Sequence, residues 1–182
     1  MIQGRLCRLR PWRIEDAEAL TALANNRRVW RNLTDIFPHP YTQEDAYAWL
    51  REQSSDKTAN PGAPGPSHFA LEVDGVLAGA LGFQRREDIN RKTLSLGYWL
   101  GDPFWGRGIM TDAVRHVLPY AFTMDKVARV QAGIFAWNPA STRVVEKAGF
   151  SFEGRLRNAV FKDGEMTDLL YYGILPSEVQ KP

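Results

Sequence analysis

The chain has 182 residues, of which 44% are hydrophobic and 24% charged, with a formal net charge of +2. That length suits a single domain, 1–182, with a sizeable core, and the weak, evenly mixed charge argues against a nucleic-acid partner. No stretch approaches the roughly 20 apolar residues that span a bilayer, and MIQGRLCRLRPW has no apolar signal core, so a cytoplasmic protein with no membrane partner is expected.

A single cysteine, Cys7, excludes an internal disulfide and reads as a buried structural thiol. It sits in Arg5 to Arg10, which alternates imperfectly and is predicted as a first strand ended by Pro11. Ile14, Ala17, Leu20, Leu23 and Ala24 then share one face of a first helix, with Glu15 and Asp16 near its start and Asn25-Asn26 at its end. A short second helix is expected around Arg28 to Asn32. In TDIFPHPY, Thr34 to Tyr41, the rings of Phe37, His39 and Tyr41 are expected to wall an acceptor cleft, since loops held on rigid elements commonly bind substrates. A helix from Glu44 to Gln53 follows, with Thr42 as N-cap, Asp45 in the reciprocal position, and Trp49 and Leu50 facing inward. Ser54 to Ser67 is too rich in proline and glycine for regular structure and reads as a surface loop within one domain.

His68 to Val73 and Val76 to Gln84 flank Asp74-Gly75, a two-residue turn that favours an antiparallel hairpin. Arg85 to Lys92 is a charged loop, Thr93 to Leu100 the next strand, and Asp102-Pro103 breaks it. Gly106 and Gly108 bracket Arg107 before a run whose apolar positions, Met110, Ala113, Val114, Val117, Leu118 and Ala121, recur at helical spacing. Pro119 inside that run predicts a kink or an early end. Ala128 to Phe135 reads as a strand, Asn138-Pro139 opens a helix through Ala148 that Gly149 stops, and Phe150 to Leu175 divides at Lys162-Asp163-Gly164-Glu165 into a second hairpin. The sum is a mixed α/β fold of about seven strands and four helices, parallel across the helical crossover. The three histidines, His39, His68 and His116, show no ligand spacing, so no metal is expected.

The junction at Gly106 to Thr111 carries the chemistry. A helix entered through glycines offers unpaired N–H groups and about half a positive charge at its start, so it can receive a phosphate on bare backbone, and Arg107 adds a full charge. A P-loop is excluded because no Gly-Lys-Ser/Thr occurs, and a dinucleotide fingerprint because Thr111 stands where a third glycine is needed. WGRGIMTDA resembles the acyl-CoA pyrophosphate loop of the GNAT superfamily of N-acetyltransferases, pattern Gln/Arg-x-x-Gly-x-Gly/Ala. Gly108 matches the central glycine, while Trp105 and Met110 depart from the pattern. LGYWLGDPFWGRGIM, WNPAS and EKAGFSFEG extend the likeness to the Rim-type ribosomal-protein N-acetyltransferases over nearly the whole chain.

That resemblance implies a GNAT fold, splayed between the fourth and fifth strands to admit the pantetheine arm of acetyl-CoA. It implies an open strand edge at Tyr98, Trp99 and Leu100, pyrophosphate contacts from Trp105, Gly106, Arg107, Gly108, Ile109, Met110 and Thr111, and an oxyanion held by a strand amide near Trp99. Asn138 would lie against pantetheine and Ser141 near the departing thiolate, both as cofactor contacts and as the catalytic pair. The strand Glu that serves many GNAT enzymes as base is replaced by Ser95. At pH 7, neutralising an α-amine of pKa about 8 costs roughly 1.4 kcal/mol and a lysine roughly 4.6 kcal/mol, so a site without a strong base suits an N-terminal amine. Small-amine acetylation and a non-catalytic CoA sensor are the alternatives, and Glu165 and Asp168 are further candidates for acceptor contact. The base, the acceptor and the oligomeric state, monomer or homodimer, stay open.

Overall fold

The computed structural model describes residues 1–54, 65–124 and 126–180; the proline- and glycine-rich part of the expected Ser54–Ser67 loop, residues 55–64, lies outside the described residues. Among the described residues there are eight strands: β1 (Ile2–Gln3), β2 (Arg8–Arg10), β3 (His68–Val73), β4 (Val76–Arg85), β5 (Thr93–Leu100), β6 (Arg129–Phe135), β7 (Ser151–Lys162) and β8 (Glu165–Ile174). The helices among them are α1 (Ala17–Ala24), α2 (Arg27–Trp30), α3 (Gln43–Ser54), α4 (Ile109–Ala121) and α5 (Pro139–Lys147). The strands form one sheet in the order β1, β2, β3, β4, β5, β6, β8, β7, antiparallel except where β5 runs parallel to β6.

Local chemistry accounts for the hairpins. Asp74 and Gly75, at φ 50° and 82°, and Asp163 and Gly164, at φ 55° and 81°, supply the paired positive φ angles that a two-residue turn between twisted strands requires. Thr42 caps α3 as its spacing predicts, its Oγ1 accepting from the Asp45 amide at 3.2 Å while Asp45 Oδ2 accepts from the Thr42 amide at 2.8 Å.

Several expectations are corrected. The count exceeds the expected seven strands and four helices because the short second helix forms, as α2, and because the first strand is split: Gly4 to Cys7 turn back on themselves, the Gly4 amide donating to the Cys7 carbonyl, and β1 pairs with β2. Arg5 and Leu6 are therefore not in a strand. Asp112 on α4 holds this turn by accepting from the Leu6 amide at 2.8 Å, a contact invisible at the level of local pattern. The helix expected from Ile14 begins as a 3-10 turn, Ile14–Asp16, and Ile14 is 44% exposed rather than on the buried face. Pro119 lies inside α4, which runs only two residues past it to Ala121; the missing N–H removes one bond from the last turn.

Two apolar layers sandwich the sheet. On one face Leu94, Leu96, Val130, Ala132 and Ile134 pack under α4 and α5; on the other Ala70, Leu77, Ala80 and Trp99 pack under α1 and α3. The N-terminal half is pinned by a buried ion network: Arg10 Nη1 and Nη2 donate to Asp16 at 2.8 and 2.7 Å and Arg10 Nε to Glu72 at 2.7 Å, while Arg8 also contacts Glu72. These partners hold the Glu72 carboxyl below its ordinary pKa.

Candidate active site

The ladder between β5 and β6 covers only three register pairs, Thr93 with Arg129, Leu94 with Val130 and Ser95 with Gln131. Beyond Ser95 the two strands part, although β5 stays in register with β4 to Leu100 and β6 with β8 to Phe135. This is the expected splay. The direction of each amide along β5 follows from alternation: Thr93 accepts from Arg86 and Gly101 donates to Ala78, so odd-numbered residues bond to β4 and even-numbered ones face β6. The groups turned into the gap thus belong to Leu96, Tyr98 and Leu100, and the Trp99 amide is directed to β4.

Tyr98 and Trp99 lie on opposite faces. The Tyr98 hydroxyl crosses the split to α5, 2.7 Å from Ser141 Oγ and 3.2 Å from the Ser141 carbonyl, and its single proton can go to either; when it goes to Oγ the serine proton is left free. Burial raises the Tyr98 pKa to about 12, with the Ser141 hydrogen bond acting weakly against it, so the phenol keeps its proton through the neutral range. Asn138 Oδ1 accepts from the Ser141 amide at 3.1 Å, which caps α5 and turns Ser141 toward the gap. Asn138 is accordingly the N-cap that fixes Ser141, with its side-chain NH₂ still available.

At the far end of β5, Gly106 and Gly108 adopt φ 74° and 77°, and α4 begins at Ile109 with no side chain capping it. The amides of Ile109, Met110 and Thr111 have no intrahelical acceptors there. Gly106, Arg107 and Gly108 are exposed, whereas the Ile109 and Met110 side chains are buried and contribute only backbone. Trp105, which departs from the loop pattern, acts as a brace: its Nε1 donates to the Leu100 carbonyl at 2.8 Å, and the Arg28 guanidinium stacks on it at 4.8 Å. Uncapped amides on an exposed turn with glycine on either side of Arg107 fit a diphosphate, and the edge at Tyr98, with the Leu100 amide beside it, fits a pantetheine amide.

Of the three rings expected to wall an acceptor cleft, Phe37 and Tyr41 stand together on the opposite face and His39 stands apart. Phe37 lies 5.7 Å from Trp99, edge to face, and 4.9 Å from Tyr41. Tyr41 is only 5% exposed and backs Phe37 from the core; burial raises its pKa to about 12. His39 is exposed and stacks on Trp30 at 5.3 Å, away from that pair. Asp168 is engaged by Arg155 and by the Asn158 amide at 2.7 Å, holding a bulge in β7.

Pattern reading missed a strap over this face. Arg27 of α2 donates to Asp163 at 2.9 and 2.8 Å, Arg31 donates to Glu165 at 2.9 Å, and Lys162, 2% exposed, reaches Asp35 at 2.7 Å with its Nζ 3.6 Å from the Trp30 ring centroid. The β7–β8 turn is thereby clasped to α2 and the Thr34–Tyr41 loop. Only the uncommon run of arginines in α2 hinted at it, because its partners lie more than 120 residues away.

The acetyltransferase (GNAT) domain family model matches residues 6–151, so the chain belongs to the GNAT acetyltransferases. It is an acyl-CoA-dependent N-acetyltransferase by family. The chain is 31% identical to the probable N-acetyltransferase YjcK of Bacillus subtilis (strain 168) over 178 residues, 96% of this chain and 97% of that one. It is 36% identical to the putative ribosomal N-acetyltransferase YdaF of the same organism over 108 residues, 59% of this chain and 58% of YdaF, so the match spans little more than half of that relative. Among solved structures, the ribosomal L7/L12 alpha-N-protein acetyltransferase RimL in complex with coenzyme A superposes with a TM-score of 0.79 at 23% identity, covering 94% of this chain and 95% of that one. Among the described residues, no helix is long and apolar enough to cross a membrane.

Proposed function

We propose that the protein transfers the acetyl group of acetyl-CoA to the N-terminal α-amine of a protein, with a ribosomal protein as the acceptor class. The observation that carries this reading is the split beyond Ser95. Its edge is offered at Tyr98, it is flanked by the bare start of α4 and by Ser141, and no carboxylate stands at Ser95. Acetyl-CoA supplies an activated acyl thioester; this chain supplies the scaffold around it. The amides of Gly106 to Thr111 hold the diphosphate, and the Tyr98 and Leu100 amides pair with the arm and face the developing oxyanion. Ser141, aligned by Tyr98 and by the Asn138 cap, donates a hydrogen bond to the departing sulfur. Phe37 and Trp99 exclude water and line the approach of the amine, with Tyr41 as their support.

The ribosomal acceptor is supported by the likeness to the putative ribosomal N-acetyltransferase YdaF, and the α-amine by the energetic gap between an amine of pKa about 8 and one near 10.4. A polycationic small amine is disfavoured because the strap's acids, Asp163 and Glu165, are already paired with Arg27 and Arg31. The test is thiol release from acetyl-CoA with a peptide bearing a free N-terminus, an N-blocked peptide bearing lysine, and a small-amine panel. Turnover with the first is expected; preference for the lysine peptide or a polyamine rejects the proposal.

A further inference from the structure

We infer that His68 is the general base of this reaction, reaching the acceptor amine across a row of glycines on the α1/α3 face; the acceptor's identity as an α-amine rests on the reading above. In the sheet register His68 on β3 stands opposite Gly82 on β4, and Gly82 opposite Gly97 on β5. The imidazole lies on Gly82: a Cβ there would collide with ring atom Cδ2 and sit 3.1 Å from Nε2. Gly97 is exposed, and a Cβ built on it would meet nothing within 4 Å. The ring therefore lies over β4 where only glycine leaves room, one strand away from an open patch on the strand that borders the split. Neighbouring strands are about 5 Å apart, so the distance left from Nε2 to a group above Gly97 is roughly one strand spacing, the span of one bridging water.

The ring is held for this task. Its Nδ1 is 3.1 Å from Ser67 Oγ, and Trp49 of α3 meets it edge to face at 5.5 Å. With the Nδ1 proton donated to Ser67, the Nε2 lone pair is presented to the row. Burial pushes the His68 pKa below 6.5, against an upward pull from Glu52 of α3, so the base form prevails at neutral pH. The other charged groups nearby, Arg85, Arg86 and Glu87, line an open cavity of about 360 Å³ that also touches Ser67, His68 and Gln84 and gives the proton a route to solvent. The neighbours of His68 in adjacent rows, Gln84 and Ser95, do not titrate. A base this weak serves an amine near pKa 8 and leaves a lysine near 10.4 disadvantaged by a further factor of roughly 10² or more.

The step balances. The ammonium gives one proton to His68 Nε2, which passes it to solvent; the neutral nitrogen bonds to the acyl carbon, the carbon–sulfur bond breaks, and a second proton from nitrogen ends on the coenzyme thiol. The sum is one acetamide, one thiol and one proton released.

The experiment compares wild type with His68→Gln and Ser67→Ala in thiol-release assays at pH 7 and 9, with and without a free-N-terminus peptide, beside the KM for acetyl-CoA. For His68→Gln, kcat with peptide is expected to fall about 10²-fold at pH 7 and much less at pH 9, where most of the α-amine is already neutral, at a KM for acetyl-CoA within about threefold. Ser67→Ala, which keeps the imidazole, should move the acidic limb of the pH profile. A loss equal at both pH values, no loss, or an unmoved limb overturns the assignment. Slow hydrolysis of acetyl-CoA without acceptor separates it from the α-amine reading. If wild type ignores peptides yet its hydrolysis falls in His68→Gln, the base stands and the acceptor is wrong; turnover with neither peptide nor water overturns both.

Discussion

Removing one oxygen from Tyr98 tests whether Ser141 is positioned from across the split. In Tyr98→Phe the ring still fills its place under α5, but the hydroxyl 2.7 Å from Ser141 Oγ is gone. A net hydrogen bond of this kind is worth about 0.5–1.5 kcal/mol, so if it aligns the serine toward the departing sulfur, kcat falls roughly 2- to 10-fold. The same energy lowers Tm by only about 2–4 °C per kcal/mol in a chain of this size. Ser141→Ala should cost more, roughly tenfold or above, because it removes the donor itself. The decisive measurement is the double variant in a thiol-release assay at saturating acetyl-CoA. Tyr98 acting only through Ser141 predicts a double variant no slower than Ser141→Ala. Two losses that multiply would show that Tyr98 and Ser141 act separately and would refute the relay between β5 and α5.

Gly108→Val forces a β-branched residue to φ 77°, a strain of about 1–2 kcal/mol at the start of α4, and should weaken coenzyme A binding by tenfold or more in calorimetric titration; unchanged affinity would detach the glycine turn from the diphosphate. Glu72→Gln takes away one of the two carboxylates that hold Arg10, leaving Asp16, and should cost about 1.5–3 kcal/mol in denaturant unfolding. Because the folded Glu72 pKa lies below its ordinary 4.5, its stabilisation is complete above that value and is lost as pH falls through the depressed one. The variant's Tm should therefore fall less steeply than wild type over that acidic window, and parallel curves would refute the linkage.

What could be read from the sequence was set by short-range chemistry. The Asp-Gly turns, the Thr42–Asp45 box, the Asn138 cap and the glycine entry to α4 each depend on residues within four positions of one another, and all stand where the pattern puts them. The fold class followed from their order. What stayed hidden depends on long-range pairing. Cys7 is buried but outside a strand because Asp112, far along the chain, closes the turn before it. Ile14 matches the helical stripe yet sits in a 3-10 turn that Asp16 makes by bonding Arg10. Trp105 departs from the phosphate-loop pattern, and its role lies in its bond to Leu100. The parity that turns Tyr98 rather than Trp99 to the gap needs register, and His68 offered no spacing to notice because its significance lies in Gly82 and Gly97, one and two strands away.

The three-rung seam between β5 and β6 makes the sheet two plates hinged at one corner. The exposed clasps between α2 and the β7–β8 turn add only loose, salt-sensitive ties at the other side. A guest lodged in the opening acts as mortar: it supplies the missing rungs and locks plate to plate. Amide hydrogens of Leu96, Tyr98 and Leu100 should then exchange slowly only in the loaded protein, so the substrate serves for part of each cycle as a structural member of the enzyme that consumes it.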